Sequence, residues 1–148
     1  MEITFEEYRI SDDKDLLDRS FIHRYLSEES YWARGIPYEI VDKSISNSIS
    51  FGLFHRGNQV GFGRVITDSA TFGYLADVFI IEEYRGKGLS LKLVDFILTH
   101  PNLSTLRSFV LGTKDAHGLY EKFGWTKLDV DMRDRFMRKV VSKPYLEQ

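Results

Sequence analysis

No cysteine occurs among the 148 residues, which excludes disulfides, thiolate-held metals and any reaction through a cysteinyl intermediate. No apolar run approaches the roughly 18 to 20 residues of a membrane span, and the opening MEITFEEYRI lacks the basic and apolar regions of a signal peptide. The expectation is a cytoplasmic protein with no membrane partner. Proline is scarce and unclustered, and nothing repeats, so a linker is missing too and residues 1–148 read as one domain. A basic excess is also lacking: the net charge of −2 gives no global field for nucleic acid. The one basic stretch, Arg133 to Lys143, alternates as an edge strand would. Four histidines stand without metal-ligand spacing, so no metal site is expected.

Apolar residues are plentiful at 43%, enough for a sizeable core. Residues 1 to 30 hold nine Asp or Glu against four Lys or Arg. That excess reads either as solvated faces or as an acidic entrance for a cationic substrate.

Hydrophobic periodicity orders the chain. Ile3 to Arg9 reads as a strand, and Lys14 to Leu26 as a helix carrying Leu16, Leu17, Phe21 and Tyr25 behind the cap candidates Ser11, Asp12 and Asp13. Gly35-Ile36-Pro37 breaks the pattern before a second helix from Tyr38 to Ile49. The period then drops to two, predicting a hairpin over Ser50 to Thr67 that turns at Gly57 and Asn58. Phe72 to Ile81 is nearly all apolar, as a central strand buried on both faces would be. A third helix spans about Gly88 to Thr99, a short strand Arg107 to Gly112, and a short helix Asp115 to Phe123 with Gly124 as its cap. Trp125 to Val141 can supply two more strands. The fold class is mixed α/β, or α+β.

Between the central strand and the third helix lies EEYRGKGLSLKL. Glycines at 86 and 88 let consecutive N–H groups converge, and the helix N-terminus adds positive potential, so this turn suits a phosphate or pyrophosphate. A Walker loop would need Ser or Thr at Gly88, and a dinucleotide fingerprint would need glycine at Leu91. It is neither.

The stretch resembles motif A of the GNAT superfamily of acyl-CoA-dependent N-acyltransferases: Arg or Gln, two residues, Gly, one residue, then Gly or Ala. Here it reads Arg85, Gly86, Lys87, Gly88, Leu89, Ser90. DAHGLYEKFGW resembles motif B of that superfamily through Leu119, Tyr120, Lys122, Gly124 and Trp125. The two come in family order and spacing, and the resemblance covers nearly the whole chain. It departs at Ser90, where the family has Gly or Ala, and at Thr113, where many members have an Asn that holds the pantetheine arm.

The resemblance implies a mostly antiparallel, twisted sheet splayed at its central strands and flanked by about four helices. It implies acetyl-CoA as co-substrate, its pyrophosphate on the amides from Arg85 to Ser90 and its pantetheine along Phe79 to Ile81, near Thr113 and His117. A bulge would free the Val78 and Ile80 amides to polarise the thioester carbonyl. Tyr120 matches the family tyrosine that donates to the coenzyme A sulfur, although a core tyrosine would look the same. Asp77, alone in its apolar run, is either the base for the amine, directly or through water, or a structural carboxylate paired with Arg64 or a backbone amide. His23, Tyr31, Trp32 and Arg34 fall where the family walls its acceptor pocket; each is also readable as packing or surface, and for His23 that is the favoured reading.

The expected activity is acetyl transfer to a primary amine of a small molecule by direct attack in a ternary complex. Two rivals remain: an acyl-CoA-binding sensor without catalysis, and an acetyltransferase acting on protein or peptide amines. A homodimer through the C-terminal strands completes the expectations.

Overall fold

A computed structural model describes residues 1–141 and Tyr145. The strand expected from Ile3 to Arg9 is two short ones, Glu2–Phe5 (β1) and Tyr8–Ser11 (β2), paired antiparallel with Phe5 opposite Tyr8. Glu6 makes the reversal at a φ of 52°, a left-handed conformation usually announced by Gly, Asn or Asp. The first helix also starts later than Lys14. Lys14–Leu16 is a single 3-10 turn capped by Asp13, Leu17 is extended, and Asp18 accepts the Phe21 N–H at 3.0 Å to open Arg19–Glu28 (α1).

Tyr38–Ser46 (α2) ends at Asn47, whose amide side chain donates to the Lys43 carbonyl at 2.8 Å. The chain reverses at Arg56 and Gly57, both left-handed, between Ile49–His55 (β3) and Asn58–Thr67 (β4). Phe72–Ile80 (β5) follows, then Leu89–Leu98 (α3), Ser108–Leu111 (β6) and His117–Glu121 (α4), the last closed by Gly124 at a φ of 98°.

The six strands form one sheet in chain order. All neighbours are antiparallel except β5 and β6, which run parallel and are joined by α3. A parallel pair needs such a crossover, because no tight turn can return the chain to the same end. Alternate residues then divide the core between two faces. Leu89, Leu93, Val94 and Ile97 of α3 cover Phe51, Leu53, Val65 and Leu75 on one side. On the other, Ile22 and Leu26 of α1 with Val41 and Ile45 of α2 cover Phe54, Phe62 and Phe79.

Two expectations are corrected. Far from being buried on both faces, β5 leaves Phe72 and Tyr74 exposed at its first end, because the α1–α2 layer packs on Phe62 and Phe79 and stops short of that end. The two strands expected within Trp125 to Val141 do not form. Asp129 instead accepts the Met132 N–H at 2.8 Å and starts a short helix, Val130–Arg135 (α5), closed by an Asp131–Arg135 ion pair one turn apart. The strand support for a homodimer is thus missing among the described residues; residues 142–143 of the basic stretch lie outside them.

The β4–β5 connection is organised by one side chain. Asp68 accepts N–H groups from Ala70, Thr71 and Phe72 and the Thr71 hydroxyl at 2.7 to 3.1 Å. The Thr71 hydroxyl and these amides hold its carboxyl well below the usual carboxylate range. A depressed pKa stabilises the fold above the unfolded value of about 4, and that contribution fades as the pH falls. Asp68→Ala should therefore lower the melting temperature by several degrees at neutral pH, with the deficit shrinking below about pH 4. Thermal melts at stepped pH check this.

Candidate active site

The site begins with a mismatch in the β4–β5 ladder. Phe62 pairs with Phe79 and Arg64 with Ala76, so Gly63 alone faces both Asp77 and Val78. The extra residue is absorbed by Asp77, which takes a φ of 55°; aspartate is among the few non-glycine residues that adopt this conformation at modest cost. Such a bulge bends its strand and interrupts pairing. On its other edge β5 pairs with β6 only from Phe72 to Leu75, opposite Ser108 to Leu111, and beyond Leu75 the two strands part. The Ile81 N–H donates back to the Val60 carbonyl of β4 at 3.0 Å. Alternation along an antiparallel ladder then turns the Ile80 and Val78 amides the opposite way, into the gap.

The Asp77 side chain, mostly buried, is held at both oxygens. Arg64 Nε donates to Oδ2 at 2.6 Å and Trp32 Nε1 to Oδ1 at 2.8 Å. Arg64 also donates from Nη1 to Ser48 Oγ at 2.9 Å. One carboxylate thereby joins β4, β5, the end of α2 and the loop between α1 and α2. Of the two sequence readings, the pairing with Arg64 is present in the fold.

Tyr120 enters the same cleft from α4. Thr113 Oγ1 accepts the Ala116 N–H at 3.0 Å and sets the start of that helix, while Trp125 packs edge-on to the Tyr120 ring with centroids 5.8 Å apart. The phenol is 8% exposed, and among the described residues its hydroxyl has no hydrogen-bond partner. Burial, with a smaller push from the Tyr31 hydroxyl, raises its pKa to about 12. At neutral pH it is an O–H donor aimed into a cavity of about 500 Å³. Asp77, Val78, Thr113, Tyr31 and Trp32 line that cavity beside it.

The glycine turn after β5 lies at the other end of the gap. Gly86 and Gly88 have φ of 78° and 76°. A Cβ at either would meet nothing within 4 Å, so the chain's direction, and not lack of room, requires glycine there. The Arg85 N–H is used by Glu82. Those of Gly86, Lys87, Gly88, Leu89, Ser90 and Leu91 find no acceptor among the described residues, and all of these residues but Lys87 border a depression of about 180 Å³. Consecutive orphan amides at a helix start form an anion cradle. The Arg85 side chain turns away from it, donating to the Ile80 carbonyl at 2.9 Å and to the Tyr25 hydroxyl at 3.0 Å. Lys87 lies over the Tyr84 ring at 5.2 Å.

Not every residue singled out by sequence gathers here. Phe79 and Ile80 are buried, Phe79 stacked on Tyr25 with centroids 3.8 Å apart, so their side chains support the gap while their backbone borders it. Ile81 is half-buried and packs on both core clusters. His117 borders a neighbouring cleft of about 560 Å³ that shares Tyr120 and Thr113. His23 is 2.9 Å from the Ile36 carbonyl, and Arg34 donates to the Glu28 carbonyl at 3.2 Å. Both fasten the α1–α2 loop and neither lines the cavity. Sequence reasoning passed over Tyr74 and Lys114, which do line it, and weighed Arg64 only as a partner for Asp77. Nothing in the nearly all-apolar run of β5 marks Tyr74; for Lys114 there was only adjacency to Thr113.

Residues 46–127 match the family model described as an acetyltransferase (GNAT) domain. A crystal structure of a candidate acetyltransferase of the GNAT family from Xanthomonas campestris pv. campestris is 44% identical, with a TM-score of 0.88 over 97% of this chain and 98% of that one. A candidate acetyltransferase of Gibberella zeae is 34% identical over 101 residues, covering 55% of this chain and 57% of that protein, so the chain spans little more than half the length of this curated relative. The glucosamine-6-phosphate N-acetyltransferase of Arabidopsis thaliana shares the fold at 18% identity, with a TM-score of 0.62 over 93% of this chain and 100% of that one.

The environment of Tyr120 has a spectroscopic signature. In an alkaline titration followed at the phenolate absorbance, the difference between the native protein and Tyr120→Phe should be one tyrosine ionising near pH 12. A difference curve centred near 10 would show an open, solvated phenol.

Proposed function

The chain belongs to the GNAT acetyltransferase family, and from that premise we propose that it moves an acetyl group from acetyl-CoA to the primary amine of a small molecule, by direct attack in a ternary complex. The observation that carries this reading is the arrangement along one strand of a cavity walled by a buried phenol and a bulge with amides facing the gap, and, where that strand ends, a cradle of unpartnered N–H groups around a second depression. The cradle suits a pyrophosphate, and the gap between β5 and β6 suits an extended arm bearing amides of its own. Acetyl-CoA supplies an acetyl group activated as a thioester.

The chain's residues divide the remaining work. Amides from Gly86 to Ser90 hold the phosphates, with Thr113 and His117 flanking the arm. The Val78 and Ile80 N–H groups act as donors to the carbonyl oxygen as charge develops there. The amine nitrogen bonds to the carbonyl carbon, the carbon–sulfur bond breaks with its electron pair leaving on sulfur, the nitrogen sheds its second proton to water, and the thiolate takes up a proton through the Tyr120 hydroxyl to leave as the free thiol. Tyr120 hydrogen-bonds that sulfur and stabilises it as it departs. An alkyl amine near pKa 10.4 must first lose a proton at neutral pH. Because both Asp77 oxygens already accept a donor, we assign Asp77 this step through a bridging water. That same engagement is the one observation favouring the other reading, an acyl-CoA-binding module without catalysis.

Calorimetric titration with acetyl-CoA, then a thiol-release assay over a panel of amines, separates the two. Binding with release supports the transferase; binding without release supports the sensor. Tyr120→Phe should lower kcat about 10- to 100-fold while leaving acetyl-CoA affinity near normal, the loss expected for one hydrogen bond to a charged group. Gly88→Val should instead weaken acetyl-CoA binding about tenfold or more, because a β-branched residue resists the left-handed backbone that aims the amides. Normal affinity in that variant would remove the phosphate assignment.

A further inference from the structure

Resting on the transferase reading above, the structure says more about the acceptor. Four large apolar side chains around the cavity are left open to solvent: Tyr31 at 53%, Ile66 at 44%, Trp32 at 41% and Tyr74 at 38%. They form one surface. Ile66 stands opposite Tyr74 in the β4–β5 register, Phe72 extends the row with 41% exposure, and Trp32 packs edge-on to Tyr31 with centroids 4.9 Å apart. The indole is also pinned by its N–H to Asp77 at 2.8 Å, so its ring is presented in a fixed orientation instead of swinging with the loop.

The charges of the cavity are nearly balanced and already placed. Arg64 and Asp77 neutralise one another. The Lys114 ammonium lies over the Tyr31 ring at 5.5 Å, and Asp115 is the remaining carboxylate on the lining. A polyamine would bring several ammonium groups to a lining with one carboxylate to spare. A sugar phosphate would find the Arg64 guanidinium already engaged, Nε on Asp77 and Nη1 on Ser48, and would have the Lys114 ammonium alone, with Asp115 beside it on the lining.

From this we infer that the acceptor is a primary amine carried by an aromatic body, of the arylalkylamine type. Its ring lies against Trp32 and Tyr74 and its nitrogen is directed towards Asp77 and Tyr120. Aromatic faces suit both parts of such a molecule, since they stack on a flat ring and attract an ammonium approaching over the π face.

The test sets phenethylamine and tryptamine against spermidine, lysine and glucosamine phosphate in the thiol-release assay at saturating acetyl-CoA, using the full chain. The arylalkylamines should show kcat/KM about 100-fold above the others. Trp32→Ala should raise KM for phenethylamine about tenfold with acetyl-CoA affinity unchanged, and Trp32→Phe should restore most of the loss. Calorimetry with phenethylamine in the presence of coenzyme A should give the same order of affinities, independent of turnover. If spermidine or glucosamine phosphate is the best substrate, the acceptor inference fails while the transferase reading stands. If acetyl-CoA binds and no amine is acetylated, both fail.

Discussion

The site depends on one residue too many in β5. With Asp77 and Val78 set against Gly63, β5 bends and does not stay paired with both neighbours: it regains its pairing with β4 at Phe79 and loses β6 beyond Leu75. The strain of a left-handed Asp77 persists because its side chain is locked from two directions, by Arg64 and by Trp32. Removing one partner from such a mostly buried pair typically costs about 3 to 5 kcal/mol, so the bulge is an enforced feature of the sheet. The same carboxylate that keeps the strands apart also positions the aromatic wall, and the two halves of the cavity cannot be tuned separately at this point.

A second tie runs beneath the glycine turn. Arg85, the residue that opens the phosphate motif, reaches inward to the Ile80 carbonyl and the Tyr25 hydroxyl. Tyr25 lies on α1 and stacks on Phe79 of β5. The cradle is thus pinned to the strand it follows and to the helix layer on the opposite face, which limits how far a short, glycine-bearing turn can drift.

Sequence reading reached the sheet, the helices and the glycine turn because their signals are local. A 3.6 period marks α3, a period of two marks the β3–β4 hairpin, and paired glycines mark the turn. It failed where a single side chain or a tertiary contact decides. The β1–β2 reversal uses a glutamate in a conformation that glutamate rarely adopts, and Asp129 captures an amide to make α5 where alternation suggested strands. Tyr120 and Asp77 were visible as motif or anomaly, but the bond from Trp32 to Asp77 spans 45 positions and leaves no trace in spacing. His23 and Arg34 fall near the site in the chain, yet each engages a backbone carbonyl across the junction of α1 and the loop that follows it, His23 that of Ile36 and Arg34 that of Glu28.

The orphan amides from Gly86 to Leu91 belong to the main chain, whereas the opposite side of the cavity is built from side chains on a loop and on the open end of two strands. Mutation rewrites side chains freely and main-chain donors hardly at all, provided the two glycines stay. Under the proposed function, a lineage carrying this fold could therefore exchange the residues at 31, 32, 66 and 74 and explore new acceptors while the main-chain cradle stays the same. One end of the gap is then open to change by point mutation, and the other is protected from it by being written in backbone.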